Sequence, residues 1–279
     1  MSCSNPHFDD NIVDSFGNKI PIPCGHCFCC RLDMQRSAID RMHCSYFSHE
    51  CSAFVTFTYD DDHLVFKDGF RQPTLSKDDV HKYLDNIKHR LKGIDFEYYL
   101  CGEYGDRFNR PHYHALFFGL DYELHQKFFE DSWKAGEVKV LPCSPQAFRY
   151  VTKYITKPYS KEWNDKNYYD LGMIPPFRKF SRALGLSVYF NHLEDIARYG
   201  FFSYHGRRIF VNRYYFNKLV SYSPISVLYR EQSIIKNNAL LSESAARFGM
   251  SVNEFRFVKN EELEKSLRSK ALNRSSKLT

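Results

Sequence analysis

The chain contains no stretch approaching the ~18–20 uninterrupted apolar residues of a transmembrane helix, so a membrane span is not expected. Its opening residues, Met1-Ser2-Cys3-Ser4-Asn5-Pro6-His7, lack the charged and apolar regions of an export signal, and the protein is expected to work in a cytosol. No Gly-x-x-x-x-Gly-Lys-[Ser/Thr] loop occurs, so any strand unwinding falls to a separate protein. Repeats and low-complexity tracts are missing too, which removes collagen-like and coiled-coil architectures. Charge of one sign is scarcely in excess, since 39 Lys+Arg against 33 Asp+Glu leave only +6. Nine cysteines are odd in number and unevenly spaced, which argues for reduced thiols or metal ligands rather than a disulfide framework.

What is present is an ordinary globular complement. Over 279 residues, 43% apolar content supports a real core, and one main domain with appendages fits the length. The unusual feature is 20 Tyr and 25 Phe beside a slight excess of base. Aromatic faces and cations together hold single-stranded nucleic acid, although the same aromatics also fill cores.

Residues 1–53 read as a Cys-rich N-terminal extension, irregular except for a helix from about Arg31 to Tyr46. Residues 54–160 form the regular core of the chain. Phe54-Val55-Thr56-Phe57-Thr58-Tyr59 alternates with a β-rich composition and marks a strand. A helix follows, with Ser76 as N-cap, Val80, Tyr83, Leu84, Ile87 and Leu91 at helical spacing, and Gly93 as the stop. Phe96–Glu103 and His112–Phe118 are two strands joined by the polar stretch Tyr104–Pro111, which suggests an antiparallel pair. Leu124, Phe128, Phe129 and Trp133 suit a second helix, and Glu137–Leu141 alternates as a fourth strand. The order β-α-β-β-α-β predicts an α+β, ferredoxin-like (split βαβ) antiparallel sheet with helices on one face. Ser144 as N-cap and Pro145 at the first helical position open a third helix, running to about Lys157.

Residues 161–279 are a basic, aromatic C-terminal region expected to pack on that core. Between 178 and 218, eight basic residues face two acidic ones with eleven Phe or Tyr interleaved. Arg178, Lys179, Arg182, Arg207, Arg208 and Arg213 are its candidate DNA-binding residues. Lys265–Thr279 reads as a basic tail.

Two motifs carry chemistry. His112-Tyr113-His114 lies in the third strand, where alternation projects both imidazoles to one face. A simple hairpin pairing sets Glu103 across from His112 on that face, completing a candidate metal site with open positions. Three such ligands suit zinc hydrolysis, non-haem iron or phosphoryl chemistry alike. The second motif, Tyr150-Val151-Thr152-Lys153-Tyr154-Ile155-Thr156-Lys157, uses Tyr-x-x-Lys twice on one helix. On a regular wheel the two tyrosines share a face about 100° from the apolar stripe, with the lysines beside them. Taken alone, this also describes tyrosines flanking a core and lysines in water. Joined to the histidines, it suggests phosphoryl transfer onto Tyr150 or Tyr154, with Lys153 or Lys157 screening charge or assisting deprotonation.

The strand Phe54–Tyr59, the segment Arg110-Pro111-His112-Tyr113-His114-Ala115 and the doubled Tyr-x-x-Lys unit resemble, in order, the motifs of HUH endonucleases that start rolling-circle replication. The resemblance is to the initiators of the microviruses, especially the gokushovirus-like single-stranded DNA bacteriophages. Pro23-Cys24-Gly25-His26-Cys27-Phe28-Cys29-Cys30-Arg31 and Cys101-Gly102-Glu103-Tyr104-Gly105 look like that branch as well, so the likeness covers about residues 20–220. It implies an HUH nuclease core at 54–160 that nicks the origin of phage DNA, single-stranded or supercoiled circular, with Mg2+ or Mn2+. A 5′-phosphotyrosine link would form, host helicase and DNA polymerase would extend the 3′ end, and a second tyrosine would rejoin the ends, all in the host bacterial cytoplasm. Tyr113 departs from the family's bulky apolar residue between the histidines.

Cys24-x-x-Cys27-x-x-Cys30, with Cys29 beside it and His43, Cys44, His49 and Cys51 downstream, has knuckle-like spacing that suits structural Zn2+ or, equally, buried thiols. Asp60-Asp61-Asp62 follows a strand directly and reads as a solvated turn. Beside the nickase stand two other readings, a non-catalytic single-stranded DNA-binding protein and a metallohydrolase or iron oxygenase built on the histidine–carboxylate triad.

Overall fold

The computed structural model describes residues 3, 6–13, 19–105, 109–156, 161–211, 213–220 and 238–275. Two compact units emerge, residues 38–191 and residues 1–37 with 192–279.

The first unit is built on a five-stranded antiparallel sheet. Its strands are β3 (Ser52–Thr58), β4 (Glu97–Tyr104), β5 (Pro111–Phe118), β6 (Val138–Pro142) and β7 (Phe177–Phe180), in the order β6-β3-β5-β4-β7. The first four follow the split βαβ connection expected from the sequence, with α2 (Lys77–Arg90) between β3 and β4 and α3 (Gln126–Ser132) between β5 and β6. β7, in the region assigned to the C-terminal part, adds a fifth strand at the β4 edge, pairing Cys101 with Arg178.

Strand alternation divides the apolar residues between two faces. Val55, Phe57, Leu100, Tyr113 and Phe117 point to one side, under Val80, Tyr83, Leu84 and Ile87 of α2 and Phe129 of α3. Ser76 caps α2, its side chain accepting from the Asp79 amide at 3.1 Å. Both helices of the motif therefore lie on one face, as expected. The other face is covered as well. Tyr99, Cys101, Leu116 and Phe118 pack with Ala38, Ile39 and Met42 of α1 (Phe28–Ser48) and with Phe148 and Val151 of α4 (Pro145–Val151). A sheet packed on both sides explains why β5 is buried almost throughout.

Two expectations are corrected. The extension before β3 is not irregular, because β1 (His7–Val13) and β2 (Lys19–Ile22) form an antiparallel hairpin ahead of α1. Nor does the third helix run to Lys157. It stops at Val151, and Lys153–Thr156 form a short 3₁₀ turn. Thr152 causes the break, its hydroxyl donating to the Phe148 carbonyl at 2.7 Å in competition with helix propagation, within a run rich in β-branched residues. Lys157 lies outside the described residues.

The second unit holds the β1–β2 hairpin, the start of α1, a hairpin of β8 (Phe201–Tyr204) and β9 (Arg207–Phe210), and the helix Val252–Ser275.

Candidate metal and nucleophile site

The loop between β4 and β5 sets a register in which Glu103 stands opposite His112, and Cys101 opposite His114. Directly paired residues share a face, so both imidazoles and the carboxylate converge where α1 and α4 leave the sheet uncovered. His114 Nε2 lies 3.0 Å from Glu103 Oε1, and His112 Nε2 lies 3.9 Å from the same oxygen. One donor atom from each residue falls within 4.8 Å of the others, a set able to hold a metal ion.

The surroundings favour the protonation states that a cation needs. Burial pushes the Glu103 carboxyl up, yet the hydrogen bond with His114 and the charges of His114, Lys153 and His112 outweigh it and hold the group below the usual carboxylate range. Burial and the neighbouring His114 hold His112 below the ordinary imidazole value of 6.5, against the pull of Glu103. An anionic carboxylate beside neutral imidazole is a ligand set suited to a divalent ion. Glu103 Oε2 adds to the fit, since it is buried with no hydrogen-bond partner among the described residues. Thr56, opposite His114 on β3, lies 3.0 Å from Nδ1 and can take its proton, turning Nε2 toward the site.

α4 and the 3₁₀ turn deliver the phenols. The Tyr150 hydroxyl is 3.2 Å from His114 Nε2 and 3.3 Å from Glu103 Oε1. Lys153 Nζ sits 3.4 Å from Glu103 Oε1, and 4.5 and 4.9 Å from the ring centres of Tyr150 and Tyr154. The Tyr154 hydroxyl reaches the Tyr104 carbonyl at 3.5 Å, one residue beyond Glu103. Because the chain leaves the α-helix at Thr152, the two tyrosines do not present one continuous helical face.

The basic residues are divided. Arg178 joins the site face in a cross-strand row Lys139–Thr56–His114–Cys101–Arg178, whereas Lys179 pairs with Leu100 on the opposite face. Arg182 is exposed in the turn after β7. Arg207, Arg208 and Arg213 belong to the second unit, where the Arg208 guanidinium lies over the Phe201 ring at 4.5 Å. Cys24, Cys27 and Cys30 also lie there, grouped with Cys3. Asp60 and Asp61 behave as turn residues, accepting from His63 and from Arg110 at 2.6 Å each.

Sequence reasoning missed Thr56, Lys139 and Gly105. Strand alternation could have signalled Thr56 and Lys139. At Gly105 a Cβ would stand 2.8 Å from His112 Cε1, so only glycine leaves the imidazole its place.

Residues 52–159 match the model of a protein family described by its replication-associated protein ORF2. The chain is 26% identical over 195 residues to the replication-associated protein ORF2 of Spiroplasma virus 4, covering 63% of this chain and 59% of the relative. It is 28% identical over 156 residues to the replication-associated protein VP4 of Bdellovibrio phage phiMH2K, 48% of each chain. To the replication-associated protein ORF4 of Chlamydia phage 1 it is 24% identical over 227 residues, 73% of this chain and 55% of the relative. The chain thus spans about half the length of the curated relatives it matches. No solved structure matches it. The resemblance to replication proteins of small single-stranded DNA phages is borne out by these matches.

Proposed function

We propose, from the premise of this kinship with phage replication-associated proteins, that the chain is a site-specific DNA endonuclease and strand transferase of the HUH type, which starts rolling-circle replication. The observation that carries the reading is a phenol, Tyr150, in contact with both His114 and Glu103 of a candidate cation site.

Glu103, His112 and His114 would hold Mg2+ or Mn2+, and a cation there supplies Lewis-acid polarisation of a phosphodiester and charge for the leaving 3′ oxygen. The chain's own groups do the rest. A phenol with an ordinary pKa near ~10 is a weak nucleophile at neutral pH, so its proton must leave as its oxygen bonds to phosphorus. Lys153, beside both rings and Glu103, stabilises the developing phenolate and the phosphate charge. The bond from phosphorus to the 3′ oxygen breaks, that oxygen takes up a proton, and the DNA stays linked as a 5′-phosphotyrosine. The ester retains the bond energy, so a second hydroxyl, that of Tyr154, can cut again and rejoin the ends. Lys157 keeps the charge role that the resemblance implies.

Lys139 and Arg178 on the site face, with Lys179, Arg182, Arg207, Arg208 and Arg213, are proposed to meet the DNA backbone. The same reading makes phage origin DNA the substrate, host helicase and DNA polymerase the partners, and the host bacterial cytoplasm the place of action. Among the described residues no helix is long and apolar enough to cross a membrane.

The test is to mix the full chain with labelled single-stranded origin DNA and Mn2+, and look for an SDS-resistant adduct on the 5′ side of the break. Chelator and His114→Ala should abolish it. A protein that binds single strands without an adduct, and keeps its function when Tyr150 and Tyr154 are both Phe, would be the non-catalytic alternative. Iron dependence without a DNA adduct would point to the oxygenase.

A further inference from the structure

A second cluster of metal-ligating side chains lies in the other unit. Cys3, Cys24, Cys27 and Cys30 bring their sulfurs within 4.8 Å of one another. Three of them are local, two in the turn before α1 and one in its first turn. Cys3 comes from 21 positions away, and the β1–β2 hairpin delivers it. His7 pairs with Ile22 near the open end of that hairpin, so the residues just before β1 and just after β2 are held side by side.

The geometry is that of a metal knuckle. Cys3 Sγ and Cys27 Sγ stand 3.9 Å apart, close to the edge of about 3.8 Å of a sulfur tetrahedron with metal–sulfur distances near 2.3 Å. Backbone amides point at the sulfurs in sequence, Cys24 N–H to Cys3 at 3.2 Å, Cys27 N–H to Cys24 at 3.3 Å and Cys30 N–H to Cys27 at 3.5 Å. Each donor favours the thiolate over the thiol. Gly25, at φ +76°, makes the turn between Cys24 and Cys27. Cys27 and Cys30 sit at the start of the 21-residue α1, where the helix dipole favours anionic sulfur. Arg31 donates to the His26 carbonyl and braces the same loop. Four thiolates this close repel one another unless a cation joins them.

We propose that Cys3, Cys24, Cys27 and Cys30 bind one Zn2+ in a closed tetrahedral site that fastens the β1–β2 hairpin to the start of α1. Four sulfur ligands leave no open position for water or substrate, so the role is structural. Soft thiolates select zinc over the hard ions suited to the histidine–carboxylate cluster. Cys29, next to Cys30 but outside the cluster, is not a ligand. The proposal does not depend on the nuclease reading.

The experiment uses the full chain carrying His112→Ala and His114→Ala, so that a metal at the first site does not contribute and a failed nickase reading leaves the outcome untouched. Metal analysis after gel filtration should find one Zn2+ per chain, and cobalt exchange should give the visible absorption of tetrahedral tetrathiolate Co2+. Cys3→Ser should lower Zn2+ affinity by more than the roughly 10–100-fold that loss of an outer-shell partner costs, and shift the cobalt spectrum toward three sulfurs. Cys29→Ala should change neither. Zinc-free protein, bound iron, a cobalt spectrum of octahedral or oxygen-rich type, or a Cys3→Ser variant that binds like its parent would each overturn the proposal. The cobalt spectrum of the chain with all its cysteines decides the matter even if Cys3→Ser does not fold.

Discussion

Tyr150 and Glu103 stand 47 positions apart in the chain, and the phenol of one donates to the carboxylate of the other at 3.3 Å. Tyr154 donates elsewhere, to the carbonyl of Tyr104 at 3.5 Å. The doubled motif is thus repeated in sequence and asymmetric in space. Tyr150→Phe is expected to cut the yield of the first covalent adduct by roughly 10³-fold or more, as loss of a nucleophile does. Tyr154→Phe should leave that adduct and impair rejoining. Adduct gels and assays for circular product separate the two steps, and equal loss of the first adduct in both variants would contradict the assignment.

Thr56 fixes the ring of His114 from behind, at 3.0 Å from Nδ1. Thr56→Val keeps the shape and removes the acceptor. Affinity for Mn2+ should fall roughly 10–100-fold, the usual cost of losing a partner of a metal-bound histidine. Titration followed by Mn2+ electron spin resonance measures it, with thermal unfolding as the control for fold.

Gly105→Ala probes the space that His112 occupies. Its Cβ would lie 2.8 Å from His112 Cε1, so the imidazole must move. The expected result is weakened Mn2+ binding and nicking with little change in urea midpoint, because the residue lies beyond the paired strand. An unchanged metal affinity would show that the ring adapts in place.

Tyr113 puts its extra oxygen to use on the other face of the sheet. Its hydroxyl accepts from the Ser76 amide at 2.7 Å and lies 3.0 Å from the Tyr59 hydroxyl, tying β5 to the start of α2. Tyr113→Phe leaves a buried amide unpaired and should cost about 1–3 kcal/mol in urea unfolding. The metal ligands are untouched, so Mn2+ affinity should hold.

Acid should loosen the metal-free protein in two steps. His112 in the folded chain titrates below its ordinary 6.5, so under that value the unfolded state binds more protons and stability falls as pH drops through the window beneath it. Glu103, held below its ordinary 4.5, contributes stability above that value that is lost as pH falls through its folded value. Urea midpoints at about pH 7 and about pH 5 should differ in the parent and differ less in His112→Gln. A parent midpoint that does not move would refute the first step.

Much of the fold was legible because it is written in local patterns. The Ser76 cap, the spacing of Val80, Tyr83, Leu84 and Ile87, and the alternation of β3 each report a short stretch whose burial follows from its own period. The facing of Glu103 and His112 was legible too, since the loop between two strands restricts their register. The third helix misled, because helical spacing in Tyr150–Lys157 says nothing of the Thr152 hydroxyl competing for the Phe148 carbonyl. The β1–β2 hairpin escaped notice because its strands lack clear alternation of apolar and polar residues.

The sequence by itself determined the split βαβ order, the pairing of two imidazoles with one carboxylate, and the presence of two phenols with lysines beside them. Only the tertiary structure decided which phenol meets the carboxylate, that Thr56, Lys139 and Arg178 share the row of His114, and that Cys3 completes a set of four sulfurs. The reason is physical: periodicity and loop length act over a few residues, whereas the neighbours of a strand or a hairpin end are chosen by packing summed over the whole chain, which no local stretch records.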